Sequence, residues 1–320
     1  TIPVVYVDVS EEEEALVLAT LDPIAAMAAT DKQKLEEILS SIESENEQVN
    51  RLIDDIRERE EMVDNLGVPK DAKPNPRNLP IDVIFTMENY TSQWTPMAYY
   101  SGLKWGIQSN SRVLSESYNP HYVVTFVDNK YTDYVHSEHL EVVKRFRPKY
   151  CTVRDIMNQS QCEDAGIEYY DLSQILVWAE ELRQYAENVI VIPKYDCLSE
   201  IPDHFVLGYS VPTSHGGTPL SVELFKGRRV HLLGGSWKAQ LAHMAALGDD
   251  VVSLDNNHCH RIAEFGQFYL PDGETKTISD IFDTVGYPNP ATIALALSFG
   301  AIGAKVNELY GGNGKPAEEE

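Results

Sequence analysis

Val206-Leu-Gly-Tyr-Ser-Val211, Val230-His-Leu-Leu-Gly-Gly-Ser236 and Val251-Val-Ser-Leu-Asp-Asn-Asn257 decide the fold. Each is a short β-branched and aliphatic run that ends in glycine or polar residues. Their starts lie 24 and 21 residues apart, which fits strand, crossover, strand in a parallel sheet. In βα barrels the functional groups sit where such strands end. Asp255 therefore becomes the first candidate for chemistry.

Working outward toward the N-terminus, five more runs read as strands: Val189-Ile-Val-Ile-Pro-Lys194, Tyr150-Cys-Thr-Val-Arg-Asp155, Tyr122-Val-Val-Thr-Phe-Val-Asp128, a weak Ile107-Gln-Ser109 and Val83-Ile-Phe-Thr-Met87. Helical patterns separate several of them. Ser137 to Arg145 is one, and Leu172 to Ala186 is another, with Ile175, Leu176, Ala179 and Leu182 on one face. Eight strands joined mainly by helices predict an α/β fold, a compact (β/α)8 TIM-like barrel over 81–312. An open doubly wound sheet has the same periodicity and stays open as the alternative. After the last strand, Pro290 to Leu309 is long and rich in Ala and Leu, as a closing helix requires. Residues 313–320 form an acidic tail.

Upstream of the barrel, 63–80 has linker composition, with Pro69, Pro74, Pro76 and Pro80 among Gly67, Asn75 and Asn78. Residues 1–62 read as a small helical and αβ segment. Ile2-Pro-Val-Val-Tyr-Val-Asp8 is its strand, and Ser10-Glu-Glu-Glu-Glu14 has capping-box form. A long charged helix follows, with Val49, Leu52, Ile53 and Ile56 on one face. This segment resembles the end of a ParB-like domain, through Ile2 to Glu14 and Leu21-Asp-Pro-Ile-Ala-Ala-Met-Ala28.

Composition narrows the function classes. The chain has 320 residues, 43% of them hydrophobic, and a net charge of −24 shared between 1–80 and the rest. Such acidity argues against strong non-specific DNA binding, which needs phosphate-neutralising cations. No apolar run spans a membrane and no signal peptide is visible, so a cytoplasmic protein is expected. Cys151, Cys162, Cys197 and Cys259 form no C-x-x-C pair, which suggests reduced thiols rather than a zinc ribbon or disulfide framework. Asn256-Asn-His-Cys-His260 is a poor ligand set, because one His pair two residues apart seldom converges on a metal; no metal and no cofactor are expected. Lys144-Arg-Phe-Arg-Pro-Lys149 is the most basic stretch. It precedes a strand, away from the mouth, and reads as a solvated helix end.

Under the barrel reading, Glu88, Asn89, Asp128, Asn129, Asp155, Lys194, Gly208, Tyr209, Ser210, Gly234, Gly235, Ser236, Asp255, Asn256 and Asn257 gather at or near strand ends. Any one Asp is most simply a helix or turn cap. Three from different strands suit acid, base and nucleophile roles, provided their environments separate their pKa values. Leu233-Gly-Gly-Ser236 would let backbone approach a ligand closely.

Gly208-Tyr-Ser-Val211, Leu232-Leu-Gly-Gly-Ser236, Ala246-Leu-Gly-Asp-Asp250 and Ser253-Leu-Asp255 resemble consecutive motifs of the tRNA-guanine transglycosylase superfamily, including its DNA-modifying phage branch. The resemblance implies that Asp255 is the nucleophile attacking the sugar C1′, that Asp128 is the other catalytic carboxylate, and that Asp155 reads the edge of an incoming deazaguanine. It implies DNA, or another nucleic acid, and a free deazapurine base as partners, and it allows a homo-oligomer. Lys194, Gly208, Tyr209, Ser210, Gly234, Gly235, Ser236 and Asn256 complete the expected substrate site. The family's Asp-Ser-Gly-Gly-Phe-Gln motif reads Asp128-Asn-Lys-Tyr131 here, its base-binding Gln gives way to Pro193-Lys194, and the three-Cys, one-His zinc site that most members carry after strand eight is absent from the sequence. Those departures point to a divergent phage-type member. A barrel hydrolase using the same carboxylates, and a non-catalytic module of a DNA modification or partition system, are the competing expectations.

Overall fold

A computed structural model describes residues 78–86, 97–98, 101–109, 123–213, 216–280 and 290–311. The chain divides between Lys73 and Pro74, and every described residue belongs to the second unit. The expected N-terminal segment with its long helix, most of the linker, Glu88, Asn89 and the acidic tail lie outside the described residues.

Eight strands run in chain order: β1 Asp82–Thr86, β2 Lys104–Gln108, β3 Val124–Asp128, β4 Tyr150–Thr152, β5 Asn188–Val191, β6 Val206–Ser210, β7 Val230–Leu233 and β8 Val251–Asp255. Each pairs in parallel with the next, and β8 returns to β1 with Val83 opposite Leu254 and Ile84 opposite Asp255. The sheet is a closed barrel, which removes the open doubly wound alternative and leaves no free strand edge.

Six α-helices accompany it among the described residues: α1 His136–Phe146, α2 Gln159–Ala165, α3 Leu172–Leu182, α4 Trp237–Leu247, α5 His258–Ala263 and α6 Pro290–Tyr310. Their starts obey local chemistry. Asn158 and Gln161 form a reciprocal capping box on α2. Asp171 caps α3 and Ser236 caps α4 through the backbone N–H three residues on. The α1 helix stops at Arg147, whose φ of 45° is left-handed, just before Pro148. The basic stretch therefore ends a helix at the N-terminal end of the barrel, where Lys149 pairs with Asp82 at 2.6 Å.

Among the described residues, two connections depart from the strand–helix rhythm. After β5 and after β6 the described residues hold one 3-10 turn each, Leu198–Glu200 and Val222–Phe225. Pro193 and Pro202 interrupt the first connection; Pro212, Gly216, Gly217 and Pro219 interrupt the second, so neither can sustain a helix. An antiparallel pair, β9 Gln267–Tyr269 and β10 Thr275–Thr277, has no counterpart in the sequence reading. Helix α6 packs against β9, and its Phe299 meets Phe85 of β1 edge-on at 4.9 Å.

Strand alternation splits the core in two. Val83, Phe85, Leu207, Tyr209, Leu232 and Leu254 belong to the large cluster shared with the helices. Ile84, Phe126, Tyr150, Ile190, Ile192 and Val206 form a separate cluster inside the barrel. Gly208 belongs to the inner layer: a Cβ there would lie 2.7 Å from both Ile192 and Leu233. Gly208→Ala is therefore expected to overpack the barrel and cost about 1–3 kcal/mol, read as a lower urea midpoint at unchanged slope.

Candidate active site

The C-terminal ends of the strands open onto one cavity of about 660 Å³, lined among others by Asp128, Asp155, Lys194, Ser210, Gly234, Gly235 and Asp255. The three aspartates thus converge, each delivered by a different strand or the loop after it.

Asp128 ends β3. Its Oδ1 accepts the backbone N–H of Asn129 at 3.0 Å and the Thr152 hydroxyl at 2.9 Å. The Asn129 N–H and side-chain amide both donate to Thr152 Oγ1, at 2.7 and 3.0 Å, so the Thr152 proton is left for Asp128. His139 anchors Thr152 from behind, donating from Nε2 to its carbonyl at 2.7 Å. Burial lowers the His139 pKa to about 4, so this imidazole stays neutral. Asp128 itself is pushed up to about 8, by burial first and then by the negative charge of Asp255, with Asp155 adding to it. At neutral pH it is a carboxylic acid. Among the described residues Oδ2 has no protein partner, so the acidic proton faces the cavity.

Asp255 ends β8 and is held differently. Its Oδ1 accepts the Gly234 backbone N–H at 3.1 Å and faces His231 Nε2 at 3.3 Å. Gly234 and Gly235 have φ of 61° and 84°, a left-handed pair that turns the chain sharply just after the Gly234 N–H. Again Oδ2 has no protein partner among the described residues. Asp155, past the end of β4, pairs with Lys194 past the end of β5 at 3.3 Å. The Lys194 N–H donates to the Ile156 carbonyl at 2.8 Å, which ties the two loops together. Gln161 Nε2 donates to the Lys194 carbonyl at 2.8 Å and also lines the cavity.

Seven of the expected site residues line the cavity and four do not. Tyr209 points outward, packing on Phe225 and His243 with centroids at 5.0 and 4.8 Å, because it alternates with the inward Gly208 and Ser210. Gly208 lies in the packed layer below the cavity. Ser236 is the cap of α4. Asn256 is buried, donating to Gln240 Oε1 at 2.8 Å and accepting the Cys259 N–H at 3.3 Å.

The contact with Gln240 belongs to a device the sequence did not disclose. Gln240, fully buried on α4, donates from Nε2 to the carbonyls of Gly234 at 3.0 Å and Asp255 at 2.7 Å. One side chain thereby fixes the ends of β7 and β8 relative to each other. Gln240→Leu would orphan those buried groups, at a cost of about 2–3 kcal/mol. The expected result is a lower melting temperature, measurable on the purified protein. His231 and Thr152 were also missed. Both sit at inward strand positions, which the two-residue alternation marks. A polar residue on an inward position of a barrel strand was the available signal.

Among the described residues no helix is long and apolar enough to cross a membrane. One family model, described as a family of unknown function (DUF6610), matches residues 98–287. No curated protein matches the chain.

Proposed function

The chain belongs to DUF6610, a family of unknown function, and from the mouth of its barrel we propose that it is a base-exchanging transglycosylase that cleaves and re-forms a C1′–N glycosidic bond in DNA. One observation carries this reading. Two aspartates face one cavity, one kept protonated with a pKa of about 8, the other bound through Oδ1 by a backbone N–H. Paired carboxylates in unlike surroundings divide into acid and nucleophile.

In this reading Asp255 attacks C1′ and forms an ester, and the electron pair of the C1′–N bond leaves with the old base. Asp128 gives that base its proton. The incoming base attacks C1′, the ester bond breaks, and its electron pair returns to Asp255 while Asp128 recovers a proton from the incoming base. A covalent intermediate splits one hard displacement into two easier ones. The Asp155–Lys194 pair offers an acceptor and a donor to the edge of a deazaguanine-type base. The target base must be flipped to reach so recessed a site.

The test incubates the full chain with a guanine-containing DNA oligonucleotide and labelled 7-deazaguanine. Label in the DNA supports exchange. Free guanine without incorporation would replace exchange with hydrolysis, and binding that survives loss of all three aspartates would favour a non-catalytic module. A parallel arm with RNA separates the two nucleic acids.

A further inference from the structure

Inside the barrel, beneath Asp255, lies a histidine with no exposed surface. His231 occupies an inward position of β7, stacked on Phe126 with centroids at 5.3 Å. Its Nδ1 is 2.7 Å from Ser253 Oγ and its Nε2 is 3.3 Å from Asp255 Oδ1. Ser253 is equally buried, so the row Ser253–His231–Asp255 rises out of the core and ends at the cavity. The order excludes Ser253 as a nucleophile, because no substrate reaches it.

A carboxylate oxygen only accepts, so the His231 nitrogen that faces Asp255, Nε2, must carry a hydrogen. On the other side of the ring, Nδ1 rests against the Ser253 hydroxyl at 2.7 Å. The His231 N–H thus joins the Gly234 N–H on one oxygen, Oδ1. The second oxygen is left for substrate.

We propose that His231 is a positioning residue that assigns the two oxygens of Asp255 their roles: Oδ2 attacks C1′, and Oδ1 is held by two N–H donors. The inference rests on the transglycosylase reading above. Its consequence falls mainly on the second half-reaction. When the incoming base displaces Asp255 from C1′, the C1′–Oδ2 electron pair returns to the carboxylate, and charge reappears on Oδ1. Two N–H groups already aimed there stabilise that charge without reorganisation. Neither His231 nor Ser253 gives up a proton in either step.

The test uses the full chain, the guanine-containing DNA oligonucleotide and labelled 7-deazaguanine, with the protein–DNA adduct followed by denaturing mass spectrometry. His231→Phe fills the space without donors. It is expected to slow resolution of the adduct by about 10²-fold, so that adduct accumulates, with KM for DNA nearly unchanged. His231→Gln keeps an N–H and is expected to recover most of the rate. Ser253→Ala leaves the ring but removes the hydroxyl that steadies it at Nδ1, and a smaller slowing of the same step is expected. It serves as the readout if His231→Phe does not fold. Wild-type adduct that His231→Phe, or failing that Ser253→Ala, resolves at the wild-type rate overturns the role of His231 and leaves the transglycosylase reading standing. Absence of any adduct and of any incorporation with the wild type overturns both.

Discussion

Asp255→Asn is expected to lower base incorporation by about 10³–10⁶-fold, with the fold intact. The amide keeps the volume of the side chain, and its oxygen still accepts the Gly234 N–H that binds Oδ1 at 3.1 Å in the wild type. What it lacks is a nucleophilic oxygen of carboxylate strength, so no ester forms and no adduct is trapped. The measurement is labelled-base incorporation alongside a melting curve and mass spectrometry of the denatured mixture. Incorporation within tenfold of wild type, or an adduct mapped to another residue, would show that the nucleophile lies elsewhere in the cavity.

Asp128→Asn is expected to remove the general acid and to cost about 10²–10⁴-fold. It also separates two consequences of one raised pKa. In the wild type Asp128 holds its proton up to about pH 8, so activity that depends on the acid form should fall as pH rises through that value. Asp128→Asn should flatten that limb of the profile. For stability the sign runs the same way. The unfolded carboxyl ionises near its ordinary value of 3.8, while the folded one stays protonated to about 8. Between those values the folded state binds more protons than the unfolded state, so stability declines as pH rises across the window. Asn carries no charge to bury. The variant should therefore match wild type below about pH 4 and exceed it by roughly 1–3 kcal/mol at pH 9, a figure discounted for solvent screening. Urea melts at the two pH values test this. An unchanged difference at pH 4 and pH 9 would mean that Asp128 is not held protonated by its surroundings.

Both predictions turn on positions marked by local sequence signals. The β-branched runs place all eight strands to within a few residues. Even the weak Ile107-Gln-Ser109 run falls at the end of a strand, β2. Asp128 and Asp255 are the last residues of β3 and β8, and Asp155 follows β4 within three residues. A strand that ends in a polar group is legible because burial stops where the sheet meets solvent. The helix-free connections after β5 and β6 were not expected, although Pro193, Pro202, Pro212 and the Gly216-Gly217 pair carried the signal. The β9–β10 pair was not legible. Its strands have three residues each, too short for alternation to register, and their burial comes from α6, whose Ser298 Oγ accepts the Tyr269 N–H at 3.0 Å.

The sequence by itself determined the strands, their order and the carboxylates at their ends, since each depends on residues within a few positions of one another. Only the tertiary structure decided that β8 closes onto β1, because an open sheet and a barrel share every local pattern. Closure then sorted the candidates by side. Alternation turned Tyr209 outward and Ser210 into the mouth, and Gln240 drew Asn256 into the wall. Pairing of β7 with β8 brought His231 under Asp255 across 24 residues of chain, and closure set Asp255 close enough to Asp128 to help keep its proton on. A charge state depends on distance and solvent rather than on neighbours in the chain, so no reading of residue order could have supplied it.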